Sequence, residues 1–270
     1  MELRSGAGDR PKAGQPRRKS GAAAIGGGLA MPFRQFFATS PVACPYLPDR
    51  AERKLIVELR GAGAAIFYDD LSRSGFRRSH QFAYRPACRG CASCVPVRIA
   101  VERFSDTRST RRTRNTNRDL CGRLDPARAT PEQYELFLAY QRLRHSSSDM
   151  ASMSWRDYRA MVEDTPVRTA ILEFRDPAGT LVAASLIDLL DDGVSAVYSF
   201  YDPLQKRRSL GTWSVLWLVE ECRRRRLPFV YLGYWIADSP KMAYKDRFPA
   251  LEQLTAGGWG DFAQAPHSAT

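Results

Sequence analysis

The sequence predicts a mixed α/β (α+β) protein. Its C-terminal domain runs helix, helix, antiparallel meander, long helix, strand, behind a smaller N-terminal module that carries cysteines. Three observations predict this. Thr130-Pro131-Glu132-Gln133 is a helix opening, with Thr as N-cap, Pro at the first helical position and Gln three residues after the cap. Three strand-like runs follow, at 168–174, 181–190 and 194–201, separated by the turn-forming Asp176-Pro-Ala-Gly179 and Asp191-Asp-Gly193. A helical run from about 211 to 226 then leads into the strand Pro228-Phe-Val-Tyr-Leu-Gly233.

The remaining elements fall around these. Residues 1–33 are rich in Gly, Ala, Arg and Lys and cannot bury enough surface to order, so they are expected to be a disordered basic extension. Met31 opens a different composition and is a candidate true start. The N-terminal module spans 34–118. In it, Ala65-Ile-Phe-Tyr68 and Val95–Val101 read as strands, with cysteines in the loops around them. Residues 103–118 hold six arginines and one acid and read as a connector with a charged face. The C-terminal domain spans 119–256, with a second short helix from Ser154 to Glu163, and 257–270 reads as a tail. Arg223–Arg226 oppose the negative end of the long helix or contact nucleic acid.

Composition narrows the function. The net charge of +12 over 270 residues favours a polyanionic partner. Six cysteines are too few for a disulfide scaffold at this length. No apolar run reaches membrane-spanning length, and the Gly-rich stretch 21–31 is a poor signal peptide, so the chain reads as cytoplasmic with no membrane partner. Cys88-x-x-Cys91-x-x-Cys94, with Cys44 as a fourth ligand, offers soft donors for zinc or an iron–sulfur cluster; the other reading is reduced thiols. Cys121 and Cys222 read as packing residues.

The order of C-terminal elements resembles the GNAT-like acetyltransferase fold. The resemblance implies a phosphate-holding loop at Gln205–Thr212, where Arg208-x-x-Gly211 matches half of the usual motif. Trp213 stands where that motif has a small residue, which argues against acetyl-coenzyme A and for another phosphate-bearing acyl donor.

Short blocks along the chain carry a second resemblance. Cys44-Pro-Tyr-Leu47, Gly75-Phe-Arg-Arg-Ser79 and Tyr84-Arg-Pro-Ala-Cys88 come first. Tyr140–His145, Val197–Pro203, Ser209-Leu-Gly211, Tyr231-Leu-Gly-Tyr-Trp-Ile236 and Lys241-Met-Ala-Tyr-Lys245 follow. Together they resemble the aminoacyl-tRNA–protein transferases, leaning toward the bacterial branch of aspartate/glutamate leucyltransferases. That implies leucyl-tRNA as donor, proteins with N-terminal Asp or Glu as acceptors, and a product marked for degradation. The donor ester is already activated, so the resemblance implies no cofactor for transfer. It also associates the N-terminal cysteines with a metal or cluster.

Under this reading Arg77 and Arg78 are candidates to bind the acceptor's carboxylate. Arg208, Lys241 and Lys245 would meet phosphates, and Trp235 and Tyr244 would meet unstacked bases. Tyr231 and Trp235 read equally as strand core. His145, Tyr201 and Asp202 are candidates to act as base or to hold the acceptor ammonium, Asp202 equally being a turn residue. Two other classes remain open: an acetyl-coenzyme A-dependent N-acetyltransferase, and a non-catalytic basic zinc or RNA-binding protein.

Overall fold

The computed structural model describes residues 34–144 and 149–263, with backbone alone at Asp149. The expectations for residues 1–33, Met31 and His145 lie outside the described residues. The first strands are β1 (Phe36–Ala38), β2 (Val42–Ala43), β3 (Ala51–Glu52) and β4 (Lys54–Glu58), followed by α1 (Ala64–Arg73), β5 (Arg77–Ser79), β6 (Phe82–Pro86) and β7 (Val95–Ala100). Next come α2 (Arg108–Thr116), β8 (Cys121–Pro126), α3 (Pro131–Arg144) and α4 (Trp155–Glu163). The chain continues through β9 (Thr169–Arg175), β10 (Leu181–Leu189), β11 (Gly193–Tyr201) and α5 (Leu210–Arg225). It closes with β12 (Phe229–Trp235), the short α6 (Pro240–Ala243), β13 (Leu251–Thr255) and β14 (Gly258–Asp261).

An eight-stranded sheet runs β14-β13-β7-β12-β11-β10-β9-β8, and a four-stranded sheet runs β1-β4-β6-β5. Among the described residues, β11 and β12 are the one parallel pair of the large sheet. The predicted meander is present as β9, β10 and β11, the long helix α5 follows it, and β12 comes next, so the GNAT-like order holds. β7 belongs to the stretch assigned to the N-terminal module, yet it lies inside the large sheet between β12 and β13. The stretch read as a tail contributes β14, paired to β13.

The strand period decides which face each residue covers. On β9, Ala170, Leu172 and Phe174 join Leu216, Val219 and Cys222 of α5 in one core. Ile171, between them, turns to the other face and joins Phe137 of α3 and Tyr158 of α4. On β12, Val230 and Leu232 face α5, whereas Tyr231 faces Tyr68 and Leu71 of α1. The large sheet is therefore covered on both faces.

The predicted cap at Thr130 is present. Thr130 Oγ1 accepts from Gln133 N at 3.2 Å, and Gln133 Oε1 accepts from Thr130 N at 3.1 Å. Ser154 and Asp157 form the same reciprocal box on α4. Two expectations are corrected. Ala65–Tyr68 lies in helix α1, not in a strand; Ala64, Tyr68 and Leu71 are buried at helical spacing while Ile66 is 69% exposed. The arginine-rich connector contains α2, capped where Thr107 Oγ1 accepts from Thr110 N at 3.3 Å.

Candidate active site

The site begins where two parallel strands part. β11 and β12 pair at only three positions, Gly193 with Phe229, Val194 with Val230 and Ser195 with Tyr231. Their closest approach requires glycine, because a Cβ on Gly193 would fall 2.2 Å from the Phe229 carbonyl oxygen. Beyond Ser195 the β12 register breaks between Tyr231 and Gly233, and Gly233 takes φ +75°. Past that point β11 stays paired to β10 but has no strand partner on its β12 side, and buried carbonyls there require another donor.

Arg77 of β5 fills the opening. Its Nη2 donates to Ala196 O at 2.5 Å and Val197 O at 3.2 Å, and its Nη1 to Ser195 Oγ at 3.2 Å. A Cβ on Gly233 would lie 2.8 Å from Arg77 Nε, so glycine there is the clearance for this side chain. These bonds use three of the five guanidinium N–H donors. Among the described residues no carboxylate is ion-paired with Arg77, so a half-buried cation with donors to spare lies in the splay.

Tyr201, at the end of β11, forms one wall. Its hydroxyl accepts from Arg144 Nη2 at 3.1 Å, and its ring packs edge-on to Tyr140 at 4.8 Å. The ring covers Gly211, where an added Cβ would lie 3.2 Å from it. α5 starts here with no side-chain cap, behind Ser209 at φ +52°, and Lys206 and Arg207 stand exposed just before it. An uncapped helix start with adjacent cations favours phosphate or carboxylate.

Tyr244 and Lys245 form the opposite wall. Tyr244 is 39% exposed, within electrostatic reach of Tyr201 and Arg77. Lys245 is buried; its Nζ donates to Tyr234 O and to Met242 Sδ. Burial, and then the charge of Arg77, push this amine down to about 7.

Residues 132–255 match the family model of the arginine-tRNA-protein transferase C terminus, and residues 42–112 that of its N terminus. The aspartate/glutamate leucyltransferase of Paramagnetospirillum magneticum is 54% identical over 228 residues, covering 84% of this chain and 93% of that protein. That of Rhodospirillum rubrum is 54% identical over 225 residues, covering 83% and 92%. This chain belongs to the aspartate/glutamate leucyltransferase family. The family is one of aminoacyltransferases. Among solved structures, L-PGS from Bacillus licheniformis matches with a TM-score of 0.43 at 10% identity, covering 66% of this chain and 51% of that one. A GCN5-related glucosamine N-acetyltransferase region of a fungal β-N-acetylglucosaminidase matches with a TM-score of 0.39 at 9% identity, covering 73% and 22%.

Several residues that the family resemblance singles out have partners inside the chain. Arg78 is buried and pairs bidentately with Asp188, Nε to Oδ2 at 2.8 Å and Nη2 to Oδ1 at 2.7 Å, in place of a substrate carboxylate. Arg208 pairs with both oxygens of Asp119, at 2.8 and 2.9 Å. Asp202 closes a turn, accepting from Leu204 N and Gln205 Nε2, each at 2.9 Å. Trp235 is buried, donates to Ala243 O at 3.1 Å and packs edge-on to Phe262. Tyr231 donates to Asp192 at 2.9 Å beneath Trp259. Lys241 is exposed on α6. Trp213 points into the core against Phe174, away from the mouth, so it does not obstruct the start of α5.

Sequence reasoning passed over Arg144 and Gly233. Both stand inside recognised blocks, and the glycine in an otherwise aromatic strand was the available signal.

The four cysteines 44, 88, 91 and 94 are reduced and share one neighbourhood. Burial, then the adjacent Cys88, Cys44 and Cys91 sulfurs, push Cys94 up to about 12. Their chemistry suits a soft metal. Cys88 Sγ accepts from Arg53 N at 3.4 Å, and Cys91 donates to Ser93 Oγ at 3.5 Å. Among the described residues no three His, Cys, Asp or Glu side chains converge as a metal-holding set. No described helix is long and apolar enough to cross a membrane.

Proposed function

We propose that this protein transfers leucine from leucyl-tRNA to the N-terminal Asp or Glu of other proteins. The observation that carries the reading is Arg77, a half-buried guanidinium with no acidic partner among the described residues, held where β11 and β12 part. A free guanidinium selects a carboxylate, which is what distinguishes Asp and Glu among N-terminal residues. The names of the relatives support leucine as the transferred residue and Asp and Glu as acceptors, and the name of the family model supports a tRNA donor.

The chemistry is aminolysis of an ester. The acceptor's neutral α-amine attacks the leucyl carbonyl carbon, a C–N bond forms, and the C–O bond to the terminal ribose breaks. The proton lost by the amine ends on the departing ribose hydroxyl. The α-amine has an ordinary pKa near ~8, so the main requirement is orientation. Arg77 would fix the acceptor side chain, the start of α5 with Lys206 and Arg207 the donor's terminal phosphates, and exposed Tyr244 an unstacked base. Tyr201, between Gly211 and Arg144, would border the reacting carbonyl. Lys245, whose amine burial and the Arg77 charge push down to about 7, would be a proton acceptor on the Arg77 side of the site. Transfer needs no cofactor, because the ester supplies the driving force; a metal on the cysteines would be structural. The leucylated N terminus would mark its protein for degradation in the cytoplasm.

The test is a transfer assay with labelled leucyl-tRNA and arginyl-tRNA, each offered to peptides beginning with Asp, Glu or Lys. Leucine incorporation into the Asp and Glu peptides alone is the expected result. Arg77→Met should raise KM for the Asp peptide at least tenfold with KM for leucyl-tRNA unchanged. Absence of leucine transfer, or a melting-temperature rise with acetyl-coenzyme A and none with leucyl-tRNA, overturns the reading.

A further inference from the structure

Helix α2 carries Arg108, Arg111 and Arg112 at spacings that set them on one face. With Asn115, Thr116 and Arg118 they line an open concavity of about 710 Å³. The opposite face is anchored, with Thr110 and Thr113 buried. Other arginines of the run are neutralised within the chain. Arg103 pairs with Glu252 and Asp261, and Arg114 with Asp106. Among the described residues Arg108, Arg111 and Arg112 have no acid at ion-pair distance, and all three are exposed. Like charges gathered this way repel one another unless a polyanion lies against them.

The face is fastened to the loop that opens α5. Asn117 Nδ2 donates to Arg208 O at 2.7 Å. Arg208 Nη1 donates to Thr116 O at 3.2 Å, while the same guanidinium grips Asp119. The internal role of Arg208 is thus to hold the arginine face beside the candidate site. The lining contains no aromatic ring, so it offers contacts to a phosphate backbone and no platform for stacked single-stranded bases.

We propose that this face binds the phosphate backbone of the tRNA acceptor stem, setting the distance from the duplex to the aminoacylated end. The proposal rests on the functional reading above and names a surface that reading does not use. A folded protein acceptor is the competing occupant, and it lacks the regular spacing of charge that a duplex presents to a helix face.

The experiment measures fluorescence anisotropy of a labelled acceptor-stem minihelix, titrated with the full chain between 50 and 200 mM salt. Arg108→Gln/Arg111→Gln/Arg112→Gln should weaken binding about tenfold or more and reduce the slope of log Kd against log salt by about two to three. Arg111→Gln alone should reduce it by about one, which keeps the test available if the triple variant fails to fold. Arg60→Gln/Arg156→Gln/Arg159→Gln removes the same charge elsewhere and should leave the slope unchanged. KM for the Asp peptide should not move in the α2 variants. A wild-type slope in the α2 variants, an equal loss in the control, or a raised peptide KM overturns the proposal. If the wild type transfers leucine while the α2 variants bind normally, the surface falls alone. If the wild type transfers none, the functional reading falls, and anisotropy still decides the surface.

Discussion

Lys245 shows how far one side chain can depart from what its type suggests. As part of Lys241-Met-Ala-Tyr-Lys245 it reads as a cation for phosphate. The fold buries it, gives its amine the Tyr234 carbonyl and Met242 sulfur, and sets Arg77 nearby. Its pKa falls from 10.5 to about 7. The unfolded chain therefore binds a proton that the folded chain does not between about pH 7 and 10.5, so this residue's contribution to stability rises with pH across that window. Below pH 7 the folded chain carries the charge at its full desolvation cost. Lys245→Met should accordingly stabilise the protein more at pH 6.5 than at pH 10, by a difference on the order of 4 kcal/mol at most. Urea unfolding of both proteins at the two pH values measures this, and equal differences would refute it. Arg77 is the contrasting case. Its type and its place in Phe-Arg-Arg-Ser were readable as carboxylate chemistry, but its separation in role from Arg78 was not. Adjacent strand residues face opposite ways, and only the neighbouring sheet shows which face holds Asp188.

At the scale of elements, capping chemistry was the most legible signal, because it is local. Thr130 and Ser154 each mark a helix start by a bond spanning three residues. Ser154→Ala should cost about 1 kcal/mol, since it removes one half of the capping box on α4. Ser154→Asp should recover most of that loss, with Tm as the measurement. The meander was legible for the same reason, its turns being Asp176–Gly179 and Asp191–Gly193. Helix α1 was misread because Ala65-Ile-Phe-Tyr68 is a short apolar run that fits strand or helix equally. The decision belongs to Val57, Ala83 and Tyr231, which receive Tyr68 and Leu71 from one side of a helix. Helix α2 was hidden by its arginines, whose charge obscured the small inward stripe of Thr110 and Thr113.

Across the whole molecule, the two sheets are tied by a buried ion pair. Arg78 of β5 meets Asp188 of β10, and Thr169 Oγ1 donates to the same carboxylate at 2.9 Å. Removing one partner leaves an uncompensated buried charge, so Asp188→Asn should destabilise by about 3–5 kcal/mol in chemical unfolding. Arg78→Met/Asp188→Leu should recover much of it, because the pair as a unit offsets little more than its own desolvation. A loss below 1 kcal/mol in the single variant would show that the pair is not a structural tie. The sequence by itself determined the order of the C-terminal elements, the cap at Thr130, the turns of the meander, the excess of positive charge and the family, because each is written in residues close together in the chain. The tertiary structure alone decided which of the singled-out cations are spent internally and which remain available. Arg78 and Arg208 are matched by acids 110 and 89 residues away, whereas Arg77 reaches only hydroxyl and carbonyl oxygens. The charge left for a ligand is what remains after distant partners have been assigned, and that pairing exists only once the sheets are packed.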